Sequence, residues 1–448
     1  MILLGVSEAV VVVLAFVLAT VLWSGVIDAD LILVYERGFL KILLVSGIFI
    51  LCMYYFDLYD TFVLASRRDV LTRFAQVLGT VSVIQAVLYY TYPPLRLGRG
   101  VFLVGIILGA LLVIGGRQLF LVLNSWPRFA ERVVIFGDGP LAQHLISEFQ
   151  TRSELGIAVV GQVSQDRDLT HGSGATPRLE ELSQLVESKR IDRIIVTMGD
   201  RRGKLPVELL LQLKARGVEI QDGLELYERV TGKAPLESLR LSWLLFSPGF
   251  YQLRPLLYKR MFSLIFSAVG LLLSSPLMLL IALAVRLDSP GPVIFRQKRV
   301  GKDGKIFTLY KFRSMRNGAD RKGDLRPVQE RDDRITRVGR GLRRSRLDEL
   351  PQLYNILRGD MYFVGPRPFV PEQEEELAGQ IPFYRQRWAV KPGATGWAQI
   401  HRGYCASVKD NAEKLAYDLF YIKNMSLGLD LLILFQTIKI LVLGRGAR

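Results

Sequence analysis

The residues with the clearest chemical potential lie in one stretch, Arg343-Arg344-Ser345-Arg346-Leu347-Asp348-Glu349-Leu350-Pro351-Gln352, followed by the helical segment Leu353–Arg358, which Gly359 stops. Proline is tolerated in a helix's first turn, where its missing N–H costs nothing. Asp348 and Glu349 therefore fall at or just before a helix N-terminus. The positive end of the dipole and the neighbouring arginines should keep Asp348 ionised. An ionised carboxylate beside free backbone N–H groups and guanidiniums can attack phosphorus while the phosphate charges are neutralised around it. On spacing alone, an acidic pair that merely balances the dipole accounts for the same residues. In Val364-Gly365-Pro366-Arg367-Pro368, Pro366 and Pro368 stiffen the backbone around Arg367 and lower the entropy cost of aiming it at a phosphate. An ordinary polar turn is the plain alternative. Lys391–Trp397 is a glycine-rich turn whose aromatic could stack on a base or sugar.

The surrounding charge fits anionic ligands. The 448 residues carry 58 Lys plus Arg against 42 Asp plus Glu, a net +16, yet half the chain is apolar. That pairing argues for apolar segments joined to a strongly basic soluble part, and it excludes disorder over most of the length. Two cysteines, Cys52 and Cys405, exclude a disulfide framework, and with three histidines a zinc cluster is not expected. Arg286–Ser345 alone supplies eighteen Lys/Arg against seven Asp/Glu. It lacks an aromatic single-strand platform or a reading helix, so headgroups and a diphosphate explain it better than nucleic acid.

Positioning these residues falls to three kinds of element. Crossing about 30 Å of hydrocarbon takes about 20 helical residues. Ile2–Trp23, Phe39–Phe56, Phe74–Tyr92 and Val101–Leu123 qualify or nearly so, with tyrosines such as Tyr54, Tyr55, Tyr89, Tyr90 and Tyr92 at their ends. The first run lacks the basic start of a cleavable signal. Arg67, Arg68 and Arg73 between the second and third spans place both ends of the bundle in the cytoplasm. From Arg132 the pattern becomes strand, glycine turn and helix: Arg132–Phe136, Gly137-Asp138-Gly139, Pro140–Phe149, then Ile157–Val163, Leu179–Ser188, Ile191–Thr197, Leu205–Arg216 and Val218–Gln221. It predicts a parallel α/β domain over about Pro127–Phe246. A fifth apolar run, Met261–Leu287, is interrupted by Ser274-Ser275-Pro276. A straight span would put the α/β domain and the basic region on opposite faces. A helix broken at Ser275-Pro276 enters and leaves by one face, with Lys259 and Arg260 near anionic headgroups. Leu427–Leu443 reads as interfacial or packed, and Pro371–Leu377 as a solvated acidic face.

From about Arg254 onward the chain resembles the bacterial sugar transferase domain of the monotopic polyprenyl-phosphate phosphoglycosyl transferases. The matching motifs are Lys259-Arg260 before the Ser275-Pro276-broken helix, Gly291–Gly301, Tyr310–Met315, Leu347–Gln352, Leu357–Met361, Val364–Pro368, Lys391–Ile400 and Tyr417–Asn424. Four spans and an α/β domain upstream resemble the long-form members, the exopolysaccharide-biosynthesis polyprenyl glycosylphosphotransferases. The resemblance implies a mixed α/β membrane protein in three parts. These are a four-helix transmembrane bundle (1–125), a Rossmann-like, CoA-binding-like domain (126–246), and a catalytic domain (247–448) with a re-entrant helix over 261–287 and interfacial amphipathic helices.

The activity implied is transfer of a hexose 1-phosphate from a UDP-sugar to undecaprenyl phosphate. Asp348 would attack the β-phosphate, releasing UMP and leaving an aspartyl-phosphosugar, which the lipid phosphate then attacks. Glu349 is associated with Mg²⁺ and with assisting the incoming nucleophile, making Asp348 and Glu349 the metal-side pair. Arg367 is carried over as a nucleotide-phosphate contact, with Arg313, Lys311, Arg346, Pro366 and Pro368 as further substrate-binding candidates. Ser345-Arg346 stands where the family often has Thr-Ser, adding positive charge. Tyr417, Asp418 and Tyr421 carry over as a motif without a role. Expected partners are the UDP-sugar, undecaprenyl phosphate, the bilayer and a second copy of the chain. The expected location is the bacterial cytoplasmic membrane, with the soluble parts on its cytoplasmic face.

A different class of enzyme, a membrane-bound NAD-dependent nucleotide-sugar dehydratase or epimerase, also pairs spans with a Rossmann fold. Gly137-x-Gly139-x-x-Ala142 has the right context for its fingerprint, and Gln162 and Asp166 are the nearest candidates for the expected acid. Such an enzyme needs a Tyr-x-x-x-Lys pair. Tyr227, followed by Val230 and Thr231, does not supply one.

Overall fold

A computed structural model describes residues 2–35, 37–56, 58–59, 67–124, 130–152, 155–163, 186, 190–198, 205–239, 243, 254–316, 318, 332–402 and 407–442. Most of Leu179–Ser188, together with Pro127, Asp166, Phe246 and Cys405, lies outside them.

Helices α1 (Ile2–Ser24), α2 (Gly38–Tyr55), α3 (Arg67–Thr91) and α4 (Arg99–Asn124) each contain a segment long and apolar enough to cross a membrane. Their shared core includes Val12, Phe16, Ile42, Phe49, Phe74, Val77 and Ile106. Gly105 permits the close approach of α1 and α4, since a Cβ there would lie 2.4 Å from the Phe16 ring. Charge inside such a bundle requires a partner. Arg117 on α4 donates to both carboxylate oxygens of Glu8 on α1, at 2.5 and 2.8 Å, and to the Leu58 carbonyl at 2.6 Å. Both side chains are buried, so the pair pins the segment after α2 to two neighbouring helices.

Strands β1 (Glu131–Phe136), β2 (Ile157–Val163), β3 (Arg193–Val196) and β4 (Glu219–Asp222) form a parallel sheet in the order β2-β1-β3-β4. The continuous apolar runs are explained by cover on both faces. Leu141, Leu145 and Phe149 of α5 (Pro140–Thr151) and Leu226 of α7 (Gly223–Thr231) pack with Val133 and Ile135. Leu210 and Leu213 of α6 (Val207–Ala215) pack with Val134, Phe136, Ile194 and Val196.

α8 (Arg254–Asp288) is continuous, with Pro276 inside it. The helix runs through the expected break, and the proline is marked instead by a hydrogen-bond repair. Pro276 has no N–H to give the carbonyl four residues back, and the Ser275 hydroxyl donates to that carbonyl, Leu272 O, at 2.8 Å. Both arms of α8 are tied to the same folded unit. On the first, Arg260 donates to the Ile356 and Leu357 carbonyls at 3.0 and 2.9 Å. On the second, Ile281 and Val285 pack with Phe312 and Leu342, and Asp288 accepts from Val338 N at 3.0 Å.

That unit begins with the antiparallel hairpin β5 (Ile294–Val300) and β6 (Ile306–Phe312). Helices α9 (Arg337–Ser345) and α10 (Gln352–Arg358) follow, joined by a 3-10 turn at Leu347–Glu349. β7 (Tyr362–Val364) pairs in parallel with β8 (Gly393–Thr395), and between them lies α11 (Pro371–Gln380). The short α12 (Trp397–His401), α13 (Val408–Lys423) and α14 (Leu427–Val442) complete the chain. Val364, Leu377, Leu415, Leu419, Tyr421, Ile422 and Ile433 share one core with Ala234 and Leu239, which follow α7. On α14, Asp430 and Ile433 face inward while Leu427, Leu431, Leu432 and Ile438 are exposed. Phe435 lies 4.8 Å from the Tyr54 ring at the end of α2.

Candidate active site

The turn holding Asp348 and Glu349 is fixed at both ends by backbone requirements. The Thr336 hydroxyl caps α9 by accepting from Gly339 N at 2.9 Å. Gly339 itself has no room for a side chain, since a Cβ would lie 2.0 Å from the Ser314 carbonyl oxygen just beyond β6. α9 ends at Arg346, which adopts left-handed backbone (φ 54°) and starts the 3-10 turn. Gly359, at φ 94°, stops α10 as the sequence anticipates.

Two cations reach the same oxygen of this turn. Lys311 Nζ on β6 lies 3.2 Å from Glu349 Oε1, and Arg367 lies 3.6 Å from it. The side chain of Asn355 on α10 holds β6 against the turn. Its Oδ1 accepts from Tyr310 N at 3.0 Å, and its Nδ2 donates to Thr308 O at 2.7 Å and to Asp360 at 3.1 Å. Arg343 acts on Asp348 and Arg346 on Glu349. Two carboxylates thus sit among four cations, an excess suited to a further anion.

The carboxylates divide in proton affinity. Burial opposes charge on Glu349, but Lys311, then Arg367 and Arg346, hold its carboxyl down at about 2. Asp348 moves the other way. Burial lifts it above the ordinary aspartate range, Lys311 and Arg343 oppose this incompletely, and Glu349 adds to the rise. The helix dipole and arginines were expected to set the protonation of Asp348, and desolvation outweighs them. Burial likewise lowers the Lys311 amine.

Several expected site residues do other work. Arg313 is 5 % exposed and caps the end of α8, donating to the Val285 carbonyl at 3.2 Å, to Ser289 O at 2.6 Å and to Pro292 O at 2.7 Å. The last carbonyls of a helix lack internal partners, and this arginine supplies one. Lys259 and Arg260, expected near headgroups, are engaged within the protein. Lys259 is buried, pairing with Asp430 at 2.8 Å and donating to Val364 O at 3.2 Å and to the Tyr421 hydroxyl, while Arg260 serves the two α10 carbonyls. Trp397 does not present a stacking platform at this site, since its Nε1 donates to Gly232 O at 2.8 Å and its ring stacks on Phe420. Pro366, Arg367 and Pro368 border a cleft of about 190 Å³ with Gly301 and Trp388.

The sequence did not single out Asn355 or Arg387. A polar side chain on the inward face of α10 was the available signal for Asn355. In the α/β unit, Gly137 (φ 128°) leaves no room for a Cβ, which would lie 2.5 Å from Thr197 Oγ1. Gln162 donates to Gly137 O at 2.7 Å, so the candidate for a ribose contact braces the glycine loop.

Residues 254–444 match the family described as bacterial sugar transferase, and residues 54–221 match one described as CoA-binding domain. A UDP-N-acetylgalactosamine-undecaprenyl-phosphate N-acetylgalactosaminephosphotransferase of Aeromonas hydrophila is 42 % identical over 227 residues, 50 % of this chain and 52 % of that protein. An undecaprenyl-phosphate glucose phosphotransferase of Komagataeibacter xylinus is 35 % identical over 71 % of this chain and 60 % of its own length. A UDP-glucose:undecaprenyl-phosphate glucose-1-phosphate transferase of Caulobacter vibrioides is 43 % identical over 42 % of this chain and 70 % of its own length. The matches span only about half to three-fifths of the first two relatives. Among the described residues five helices have spanning length and composition, and the protein is a multi-pass inner-membrane protein whose soluble units face the cytoplasm.

Proposed function

The chain belongs to the bacterial sugar transferase family, and from that premise we propose that it transfers a sugar 1-phosphate from a UDP-sugar to undecaprenyl phosphate, with Asp348 as nucleophile. The observation that carries this reading is the paired turn. Glu349 is fixed as an anion by Lys311 and Arg367, while the adjacent Asp348 is buried and its carboxyl is lifted by that burial. An Asp348 oxygen forms a bond to the β-phosphorus as the bond from that phosphorus to the bridging oxygen breaks, and UMP carries the electron pair away. An oxygen of undecaprenyl phosphate then attacks the same phosphorus, restoring the carboxylate and forming the lipid diphosphate sugar. Lys311, Arg343, Arg346 and Arg367 offset the phosphate charge throughout.

Mg²⁺ is held in many phosphoryl-transfer sites by one or two carboxylates together with substrate phosphates, and the neighbouring Asp348 and Glu349 fit that donor set. When bound it would screen the diphosphate. A hexose is the donor sugar we favour, because the relatives are named for glucose and N-acetylgalactosamine. The helix α8 is read as re-entrant, dipping into one leaflet, because both of its arms are anchored in one folded unit. α14 is read as interfacial and the assembly as a dimer, with the three-part division at about residues 125 and 246.

Purified protein, undecaprenyl phosphate, Mg²⁺ and a panel of UDP-sugars test the reaction through UMP release. Release with one or two donors, abolished in Asp348→Asn, is expected. Undiminished release by Asp348→Asn would remove that residue as nucleophile.

A further inference from the structure

The segment Val364–Phe369, which carries Arg367, is held mainly by its carbonyls, with Gly365 N donating to Thr395 O at 2.9 Å. Lys259 and Tyr421 both donate to Val364 O, and Tyr421 and Lys259 share Asp430. Gly393 N donates to Pro366 O at 3.0 Å, and Arg299 to Pro368 O at 3.0 Å. Val300 N donates to Phe369 O at 3.1 Å, while Phe369 N gives its hydrogen to Glu374 at 3.3 Å. The carbonyl of Arg367 itself accepts from Arg387, at 2.8 Å.

Arg387 is a costly way to satisfy one carbonyl. Its side chain is 4 % exposed, and burying a guanidinium demands compensation from every direction. The compensation comes from three elements. Glu374 on α11 accepts from Nη1 at 3.1 Å, Tyr384 accepts from Nη1 at 2.7 Å, and Asp418 on α13 accepts from Nη2 at 3.1 Å. Two carboxylates and a hydroxyl fix the plane of the guanidinium, and the same Nη2 reaches the Arg367 carbonyl. Plain core filling does not need this, since apolar residues of similar volume are often neutral or stabilising in place of a buried ion cluster. What the cluster adds is direction at one backbone atom, on the residue whose side chain stands 3.6 Å from Glu349.

We infer that Arg387, clamped by Glu374, Tyr384 and Asp418, is a positioning residue that aims Arg367 at the diphosphate of the nucleotide donor. It touches no reacting atom and acts through the peptide of Arg367. The inference rests on the transferase reading for the identity of the donor. It gives Asp418, one of the motif residues left without a role by the sequence, a function as counter-charge to the aiming arginine.

The test is a double-mutant cycle on the full-length protein in detergent, with UDP as the binding probe. Arg387→Lys keeps the charge and loses the two-pronged geometry. It is expected to weaken UDP binding about tenfold when Arg367 is present, and less than about twofold in an Arg367→Ala background, because contacts in one network are not additive. Asp418→Asn, which leaves Arg387 in place, is expected to show the same dependence on Arg367 with a smaller effect of about threefold. If Arg387→Lys fails to fold, Asp418→Asn carries the cycle alone. Equal weakening in both backgrounds, or no weakening with Arg367 present, overturns the inference, and intact UMP release by the parent protein would then leave the transferase reading standing. Absence of UDP binding by the parent protein would overturn both.

Discussion

Replacing Lys311 by methionine removes the cation nearest Glu349 while keeping most of the side chain's bulk. At 3.2 Å the Coulomb attraction is about 5 kcal/mol for an effective dielectric near 20. Both side chains are about one-fifth exposed, so solvent and the remaining Arg367 take up part of the loss. A net effect of about 2–3 kcal/mol, or about two steps of pKa, is a reasonable allowance. Glu349 would then return from about 2 toward the ordinary glutamate range and stay ionised at neutral pH. Asp348 responds more consequentially. Lys311 is the largest influence holding its raised carboxyl down, so its removal lifts that group further. The nucleophile must be deprotonated, so raising its pKa removes activity from the acid side. The acid limb of kcat/KM for the donor should move up by about one to two pH units, with about ten- to a hundredfold loss at pH values below that limb. Initial rates of UMP release between pH 5 and 9 give both quantities. A limb that stays in place while the rate falls uniformly would show that Lys311 serves the substrate alone, and the electrostatic account of Asp348 would be refuted.

Asn355→Ala leaves Tyr310 N–H and the Thr308 carbonyl without their buried partner, and urea unfolding should show a loss of about 2–4 kcal/mol. Arg313→Ala should lower thermal stability by uncapping α8 and leave KM for the UDP-sugar within about twofold, since steady-state kinetics separates lost packing from lost binding; a large rise in KM would return Arg313 to the substrate. In a background lacking native cysteines, Leu257→Cys and Ser289→Cys should both react with an impermeant maleimide from the cytoplasmic side only, and labelling from opposite faces would refute the re-entrant reading.

The legible parts of this protein were those with local periodicity. Four long apolar runs became four helices, and strand-turn-helix alternation became the parallel sheet, because burial on one or both faces writes itself into neighbouring residues. The turn holding Asp348 and Glu349 was legible for a similar reason, as Pro351 and Gly359 mark the start and stop of α10. The partners of buried charges were not. Lys259 meets Asp430 across 171 residues of chain, and Arg313 is satisfied by carbonyls, which no residue type announces. Basic residues beside an apolar run suggest headgroups, and nothing in that local pattern announces the internal partners of Lys259 and Arg260. The direction of the shift at Asp348 was missed because burial depends on packing from β6, α9 and α10 together.

The seam after the sheet bears on how this molecule can be taken apart. The two family matches stop at residue 221 and resume at 254, inviting a cut between them. Yet Ala234 and Leu239 lie in the same apolar cluster as Leu415 and Tyr421, Ala234 N donates to Ala416 O, Lys233 pairs with Glu413 and Glu228 with Lys423. Severing the chain at residue 254 would strip a plug from the transferase half and part Lys233 from Glu413 and Glu228 from Lys423. In this chain the border of ancestry and the border of packing are about thirty residues apart.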